Sequence, residues 1–386
     1  MSVHPDLHQH YVQTCQNLGQ SENPFIAHVL QEAEKNYKMG RTKGITLKIA
    51  GNNRLVPVQR VTDDNLQVLT SVLQNTGFVT GLDFRCNVLT DAGAKHMATF
   101  LQENSTLQYL NLMFNDIGTS GAELIARALH RNETLVYLRM TGNKIGNKGG
   151  MFFASMLQIN STLEKLDLGD CDMEETTIHV ALMLKKNSSL VELHLCKHEM
   201  KNFGVERLCE ALYENSSLRY LDLSCNKITC DGVKFLGELL KRNQTLEILD
   251  LSANRIEDDG AIYLSEALAL YKTTLQALSV VSNNISGKGL VALSDAMKTN
   301  TELSYIYIWG NKFDEATCMA FSELIQTGHL KPNCTDVEPY EVDGCIHLAE
   351  LSHGLKKHYY WTPSCGEATN KDANASLAIV AVSEFL

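Results

Sequence analysis

Apolar residues recur along this chain in two rhythms that alternate. A short stretch has apolar side chains at the first, fourth and sixth positions, and a longer one has them at intervals of three and four. "LQYLNLMFNDI" from Leu107, "LVYLRMTGNKI" from Leu135 and "LEKLDLGDCDM" from Leu163 show the first rhythm. So do "LVELHLCKHEM" from Leu190, "LRYLDLSCNKI" from Leu218 and "LEILDLSANRI" from Leu246. "LQALSVVSNNI" from Leu275 and "LSYIYIWGNKF" from Leu303 continue the series, and "VTGLDFRCNVL" from Val79 precedes it. Alternation over a few residues predicts a strand with one buried face, and the three-to-four spacing predicts an amphipathic helix. Leu124, Ala128 and Leu129 make such a helical face in one copy, and Phe235, Leu236, Leu239 and Leu240 in another.

Nine copies fit L-x-x-L-x-L-x-x-N-x-L, at intervals of 28, 28, 28, 27, 28, 28, 29 and 28 residues. The ninth position is held by Asn87, Asn115, Asn143, Cys171, His198, Asn226, Asn254, Asn283 and Asn311. Self-similarity at such a period marks a repeat array. Each unit is a strand, a turn and a helix returning right-handedly to the next parallel strand. Strands pair at about 4.8 Å while packed helices need about 8–10 Å, so the array is expected to curve, strands inside and helices outside. The ninth residue is expected to turn inward and bond loop backbone, a ladder running from copy to copy. A glycine near the start of most helices, Gly121 and Gly149 among them, suggests close packing of helix on strand. Asn104, Asn132, Asn160, Asn187, Asn215, Asn243 and Asn300 end most helices and are expected to be left-handed caps. That reading turns the repeated Asn-x-Ser/Thr triplets into helix stops rather than glycosylation sites.

The flanks read as caps, which cover the exposed ends of such an array. Residues 1–43 are expected to form a helical cap built on "LHQHYVQTCQNL" and "NPFIAHVLQEAEKNYK". Residues 44–326 are the array, opened by an irregular strand in "GITLKIAG". Residues 327–386 are a mixed cap and tail: a polar loop, then strand and helix in "YEVDGCIHLAELSHGLKKHYY", then the apolar "ASLAIVAVSEFL".

The 28-residue period, long helices and Asn/Cys alternation over residues 79–326 resemble the ribonuclease-inhibitor class of leucine-rich repeats. That resemblance implies an α/β solenoid, a horseshoe of about nine to ten units, and a non-catalytic scaffold that grips another protein with its concave strand surface. The flanks "LKIAGNNRLVPVQRVTDDNLQVL" and "DGCIHLAELSHGLKKHYYWTP" narrow the resemblance within the class. They imply two settings, a structural subunit of a ciliary or flagellar axoneme, or a nuclear or nucleolar adaptor in germ or stem cells. An inhibitor or regulator of an enzyme or GTPase is a further alternative within the class.

Composition restricts the partners. The net charge of −11 argues against non-specific nucleic-acid or anionic-membrane binding. No run reaches the roughly 18 apolar residues of a membrane span, and no secretory signal is visible at the start. Eleven cysteines without paired spacing fit reduced thiols in the cytoplasm or nucleus. No phosphate loop, dinucleotide fingerprint or HExxH occurs, and no cofactor or small-molecule substrate is expected. "LHLCKHEMKNFG" sets Cys196 near His198, with Cys171, Cys225 and Cys230 in neighbouring copies. The repeat places Cys171 and His198 in inward slots and Cys196 and Cys225 on the surface or turn, so their side chains diverge and neither a zinc site nor a nucleophile with its base is expected.

The expected binding surface is the set of x positions. Its central column runs Asp83, Asn111, Arg139, Asp167, His194, Asp222, Asp250, Ser279 and Tyr307, an acidic bias suited to a basic partner. Aromatics gather in two places, Tyr109, Phe114 and Tyr137 in one and Tyr305, Tyr307 and Trp309 in the other. Exposed Tyr and Trp on a rigid surface anchor interfaces. The competing expectation is that "HYYW" at 358–361 covers Tyr305 and Trp309.

Overall fold

In the computed structural model, which describes residues 6–38, 44–174 and 177–351, the chain divides into two compact units that meet in sequence at Met183 and Leu184. The first opens with α1 (Leu7–Leu18) and α2 (Pro24–Lys38). Strand β1 (Ile45–Lys48), α3 (Asp63–Leu73), β2 (Val79–Asp83) and α4 (Asp91–Glu103) follow. Then come β3 (Tyr109–Asn111), α5 (Thr119–Leu129), β4 (Tyr137–Arg139), α6 (Gly146–Leu157) and β5 (Lys165–Asp167). Helix α7 (Thr177–Leu184) ends at the boundary. These five strands pair in chain order, all parallel, with Leu82, Leu110, Leu138 and Leu166 in register.

The second unit alternates β6 (Glu192–His194), α8 (Lys201–Leu212), β7 (Tyr220–Asp222), α9 (Cys230–Leu240), β8 (Ile248–Asp250) and α10 (Glu257–Leu270). It continues through β9 (Ala277–Ser279), α11 (Gly287–Thr299), β10 (Tyr305–Tyr307) and α12 (Glu315–Gln326). Here too the strands are parallel and in chain order, with Leu193, Leu221, Leu249, Leu278 and Ile306 in register. Those inward side chains are fully buried in both units and form the core with the apolar faces of the helices. No described helix is long and apolar enough to cross a membrane.

Two ladders of asparagine hold successive copies together. Nδ2 of Asn115 donates to the Phe84 carbonyl of the preceding copy at 3.0 Å and to the Leu112 carbonyl of its own, while its Oδ1 accepts the Leu89 N–H. Asn254 repeats this with the Leu223 and Leu251 carbonyls and the Asn226 and Ile228 N–H groups. These bonds satisfy turn backbone that would otherwise be buried without partners. The residue before the ladder position is left-handed in every copy: Cys86, Phe114, Gly142, Asp170, Lys197, Cys225, Ala253, Ser282 and Gly310, with φ between 50° and 77°. Only two of the nine are glycine, which is why the sequence did not announce this.

The second ladder corrects an expectation. Asn104 and Asn300 at the helix ends have extended backbones, φ −80° and −79°, rather than left-handed ones. The side chain does the capping: Oδ1 of Asn104 accepts the Thr106 and Leu107 N–H groups. Nδ2 of Asn132 reaches back to the Leu101 carbonyl at the end of the preceding helix, as Asn243 does to Leu212. The glycines also act differently from expectation. A Cβ on Gly121 would lie 2.8 Å from the Ala94 Cβ, and one on Gly149 would lie 3.1 Å from the Ala122 Cβ. The close approaches are to the neighbouring helix and to Ile117 and Ile145 of the incoming turns, rather than to a strand.

After α12 a short 3₁₀ turn (Pro332–Cys334) leads to β11 (Val337–Val342) and β12 (Cys345–Glu350), an antiparallel hairpin. A strand followed by a helix was expected here, and its second half, beyond residue 351, lies outside the described residues. Asp343 and Gly344 are both left-handed, φ 51° and 82°, the pair a two-residue hairpin turn requires. The segment before the hairpin protects the open edge of β10. Oδ1 of Asp336 accepts the Ile308 N–H at 2.9 Å and Oδ2 the Trp309 N–H at 3.0 Å, beside a bridge between Ile306 and Thr335. The expected cover at 358–361 lies outside the described residues.

Candidate functional site on the strand faces

Each strand of three residues has its middle side chain in the core and its outer two on the opposite face, away from the described helices of the repeats. The last of the three is the central column. An exposed surface was expected there, but Asn111, Arg139, Asp167, His194, Asp222, Asp250 and Tyr307 are all buried. Two physical causes combine. Paired strands set the column's members about 4.8 Å apart, close enough for them to bond one another. The acidic members also fold down onto their own turns, each accepting the N–H two residues on. Asp83 takes that of Arg85, Asp167 that of Gly169, Asp222 that of Ser224 and Asp250 that of Ser252. Asn111 takes that of Met113 in the same way at 3.0 Å. The acidity of the column is therefore bound up with turn formation.

In the first unit the column is bonded along its length. Arg139 Nε lies 3.4 Å from Asp167 Oδ2, and the Thr141 hydroxyl donates to Asp167 Oδ1. Tyr109 and Tyr137, one position earlier on the same face, meet at a tilt, with centroids 5.4 Å apart and ring planes at 56°. The Arg139 guanidinium and the Lys165 ammonium both sit 5.6 Å from the Tyr137 centroid. This is a half-buried aromatic pair flanked by two cations. Phe114 is half-buried and left-handed, its ring against Gly142, where an added Cβ would meet it at 2.4 Å.

In the second unit His194 lies between two carboxylates. Its Nε2 is 2.6 Å from Glu192 Oε1 and its Nδ1 3.2 Å from Asp222 Oδ2, with the Tyr220 ring 4.8 Å away edge-on. Burial works against ionisation of Asp222, but the hydrogen bond and charge of His194, with the Ser224 N–H and hydroxyl, outweigh it and hold the carboxyl below its usual value. Asp250 goes the other way: burial, then the charge of Asp222, push it up to about 7. Tyr305 packs on Tyr220, Ile248 and Ala277. Half-buried Trp309 meets Phe313 edge-on at 5.7 Å.

Glu192, Tyr220, Lys165, Thr141 and Asp336 belong to this face and were not picked out from the sequence. The first three occupy the x position two residues before the central column, so the repeat alignment contained the signal. The cysteines divide differently from expectation in one respect: Cys196 is buried rather than on the surface. Cys171 fills its ladder slot with its thiol 3.4 Å from the Met140 carbonyl and 3.2 Å from that of Gly169. Burial pushes that thiol far up, which disfavours a reactive thiolate. His198 is buried, and its N–H donates to Asn226 Oδ1 at 2.9 Å. Among the described residues no group of three His, Cys, Asp or Glu side chains is placed to hold a metal ion.

A leucine-rich repeat model matches residues 103–126, 131–154, 160–175, 214–237, 242–265 and 271–294. Leucine-rich repeat-containing protein 34 from Homo sapiens is 57% identical over 98% of this chain and 88% of its own length. Its Mus musculus counterpart is 55% identical over 98% and 99%. The chain belongs to the leucine-rich repeat-containing protein 34 family. Among solved structures, a chain of the yeast Rad7–Elc1 complex overlaps 81% of this chain and 90% of itself, at 15% identity and a TM-score of 0.42. The leiomodin-1 actin-binding site 2 domain overlaps 41% and 89%, at 26% identity and a TM-score of 0.33. With ten parallel strands alternating with helices, members of this family have the fold of a protein-interaction scaffold.

Proposed function

We propose that this chain is a non-catalytic scaffold that holds a protein partner against the strand faces of its repeats. The observation carrying the reading is the half-buried pair of Tyr109 and Tyr137 on the face away from the core, braced by the buried cations of Arg139 and Lys165. Aromatic and arginine side chains fixed on a rigid backbone are the groups that dominate binding energy at interfaces. Half-buried Trp309, held through its own N–H by Asp336, offers a second anchor in the other unit. The net charge of −11 counts against a polyanionic partner and favours a protein one.

Crosslinking of the native complex, followed by capture with Tyr137→Ala and Trp309→Ala variants, tests the reading. Each variant is expected to keep the wild-type circular dichroism and to weaken capture roughly thirtyfold, the effect of losing an anchor worth about 2 kcal/mol. Undiminished capture of every crosslinked partner by both variants would sink it. The same crosslinks decide the setting: axonemal partners support a ciliary or flagellar subunit, which is the reading we favour, and nucleolar partners the nuclear alternative.

A further inference from the structure

The first connection of the array departs from its period. Residues 49–62 join β1 to α3, where residues 84–90 and 112–118 make the same crossing in the next two copies. A connection twice the usual length, with no helix or strand of its own, is more often used for binding than kept as filler. This one is held at several points. Asn87, the first ladder asparagine, clasps both of its ends. Its Nδ2 donates to the Ile49 carbonyl at 2.8 Å, and its Oδ1 accepts the Val61 N–H at 2.8 Å. The Gly51 N–H donates to the Arg85 carbonyl at 2.9 Å, and a Cβ at Gly51 would meet the Cys86 carbonyl oxygen at 2.1 Å. Near the far end, Nδ2 of buried Asn23 donates to the Gln59 carbonyl at 3.2 Å. At the tip, Oδ1 of Asn53 accepts the Leu55 N–H at 2.8 Å, a local turn that fixes the backbone carrying Leu55.

Leu55 is 76% exposed, the most open large apolar side chain among the described residues. A single exposed leucine is ordinary by itself. What sets this one apart is its company. Arg54 and Arg60 are exposed on the same loop and make no ion pair among the described residues, and residues 49–61 contain no acid. The next acids along the chain, Asp63 and Asp64, lie on the first turn of α3, and Asp63 already bonds the Thr90 N–H and hydroxyl. A chain of net charge −11 thus carries a local projection with two arginines beside an apolar tip. We propose that this loop is a docking element for an acidic protein partner. Leu55 enters an apolar pocket of that partner, and Arg54 and Arg60 meet carboxylates on the pocket's rim. Because both ends of the loop are clasped, little ordering is left to be done on binding. On a chain that is acidic overall, a local pair of arginines also fixes where such a partner can approach. The inference does not rest on the strand-face reading, since Leu55 and its two arginines lie outside the strands.

The test uses the full chain, with photoreactive benzoylphenylalanine in place of Leu55, illuminated in extract of cells that express the parent. Isotopically heavy and light copies are mixed beforehand. The expected product joins the loop to a different protein, at a peptide that lines an apolar pocket with Asp or Glu on its rim. Arg54→Glu combined with Arg60→Glu is expected to cut the yield roughly tenfold. Replacing the partner's rim carboxylates with lysine should then restore it. Unchanged amide exchange in β1, β2 and α3 shows that the double variant keeps its fold. Crosslinks between heavy and light copies, to nucleic acid, or to added phosphatidylserine vesicles would assign the loop to a second molecule or a polyanion and overturn the proposal. A crosslinked site without carboxylates, no crosslink, a double variant that crosslinks like its parent, or a failed rescue overturns it equally.

Discussion

Ala253 shows how much a single residue gives up for the ladder. Its backbone is left-handed, φ 56°, so that Asn254 beside it can turn inward and bond Leu223 and Leu251. That conformation costs an L-residue about 1–2 kcal/mol, and glycine far less. Glycine adds freedom to the unfolded chain, worth about 0.4–1 kcal/mol in the opposite direction. Ala253 is exposed, so its methyl contributes little packing. Ala253→Gly is therefore expected to stabilise the chain by roughly 0.5–1 kcal/mol, read as a higher urea midpoint at unchanged slope. A lower midpoint would show that the left-handed position is not strained in this repeat. The chain itself carries glycine at the equivalent Gly142 and Gly310.

At the scale of the strand, the second unit sets two neighbouring carboxylates side by side, Asp222 on β7 and Asp250 on β8, in register. Burial and the Asp222 charge raise the Asp250 carboxyl to about 7, against about 3.9 in an unfolded chain. A raised folded value means that the folded state holds a proton which the unfolded state releases. Its stabilising contribution is complete below pH 4 and is lost as pH rises through 7. Asp250→Asn removes the like charge and keeps the turn, because the Ser252 N–H and hydroxyl both bond Oδ1 and Asn111 already performs this role in β3. The variant is expected to gain roughly 1–3 kcal/mol over the parent at pH 8 and to flatten the fall in stability between pH 4 and 7. Equal stability at pH 8 would refute the placement of two buried carboxylates here. The repeat period was enough to put Asp250 in a column with Asp222, but not to show that it folds onto its own turn. Spacing gives a side chain's face, whereas its bonding partners come from the neighbouring strand.

For the molecule as a whole, the strands, helices and inward ladder were legible because they recur, and nine copies of one pattern leave little freedom. Features that occur once were harder to read. The β11–β12 hairpin was announced only by "DG", and the Asp336 clamp on β10 by nothing local, since its N–H donors lie 28 and 27 residues away. The first cap, in contrast, follows its sequence closely. Phe25 and Ile26 are buried in α2, and their N–H groups are held by Asn23, which also reaches the Gln59 carbonyl and Asn65. In a repeat array each element leans mainly on its neighbours, so damage at one end should stay there. Phe25→Ala is expected to cost about 3–5 kcal/mol locally. Hydrogen exchange should accelerate in α1, α2 and β1, whose cover is lost, while β8 and β9 keep parental protection. If exchange rose together in all strands, the array would be unfolding as one cooperative block, and the cap would be stabilising the whole chain rather than its first copies.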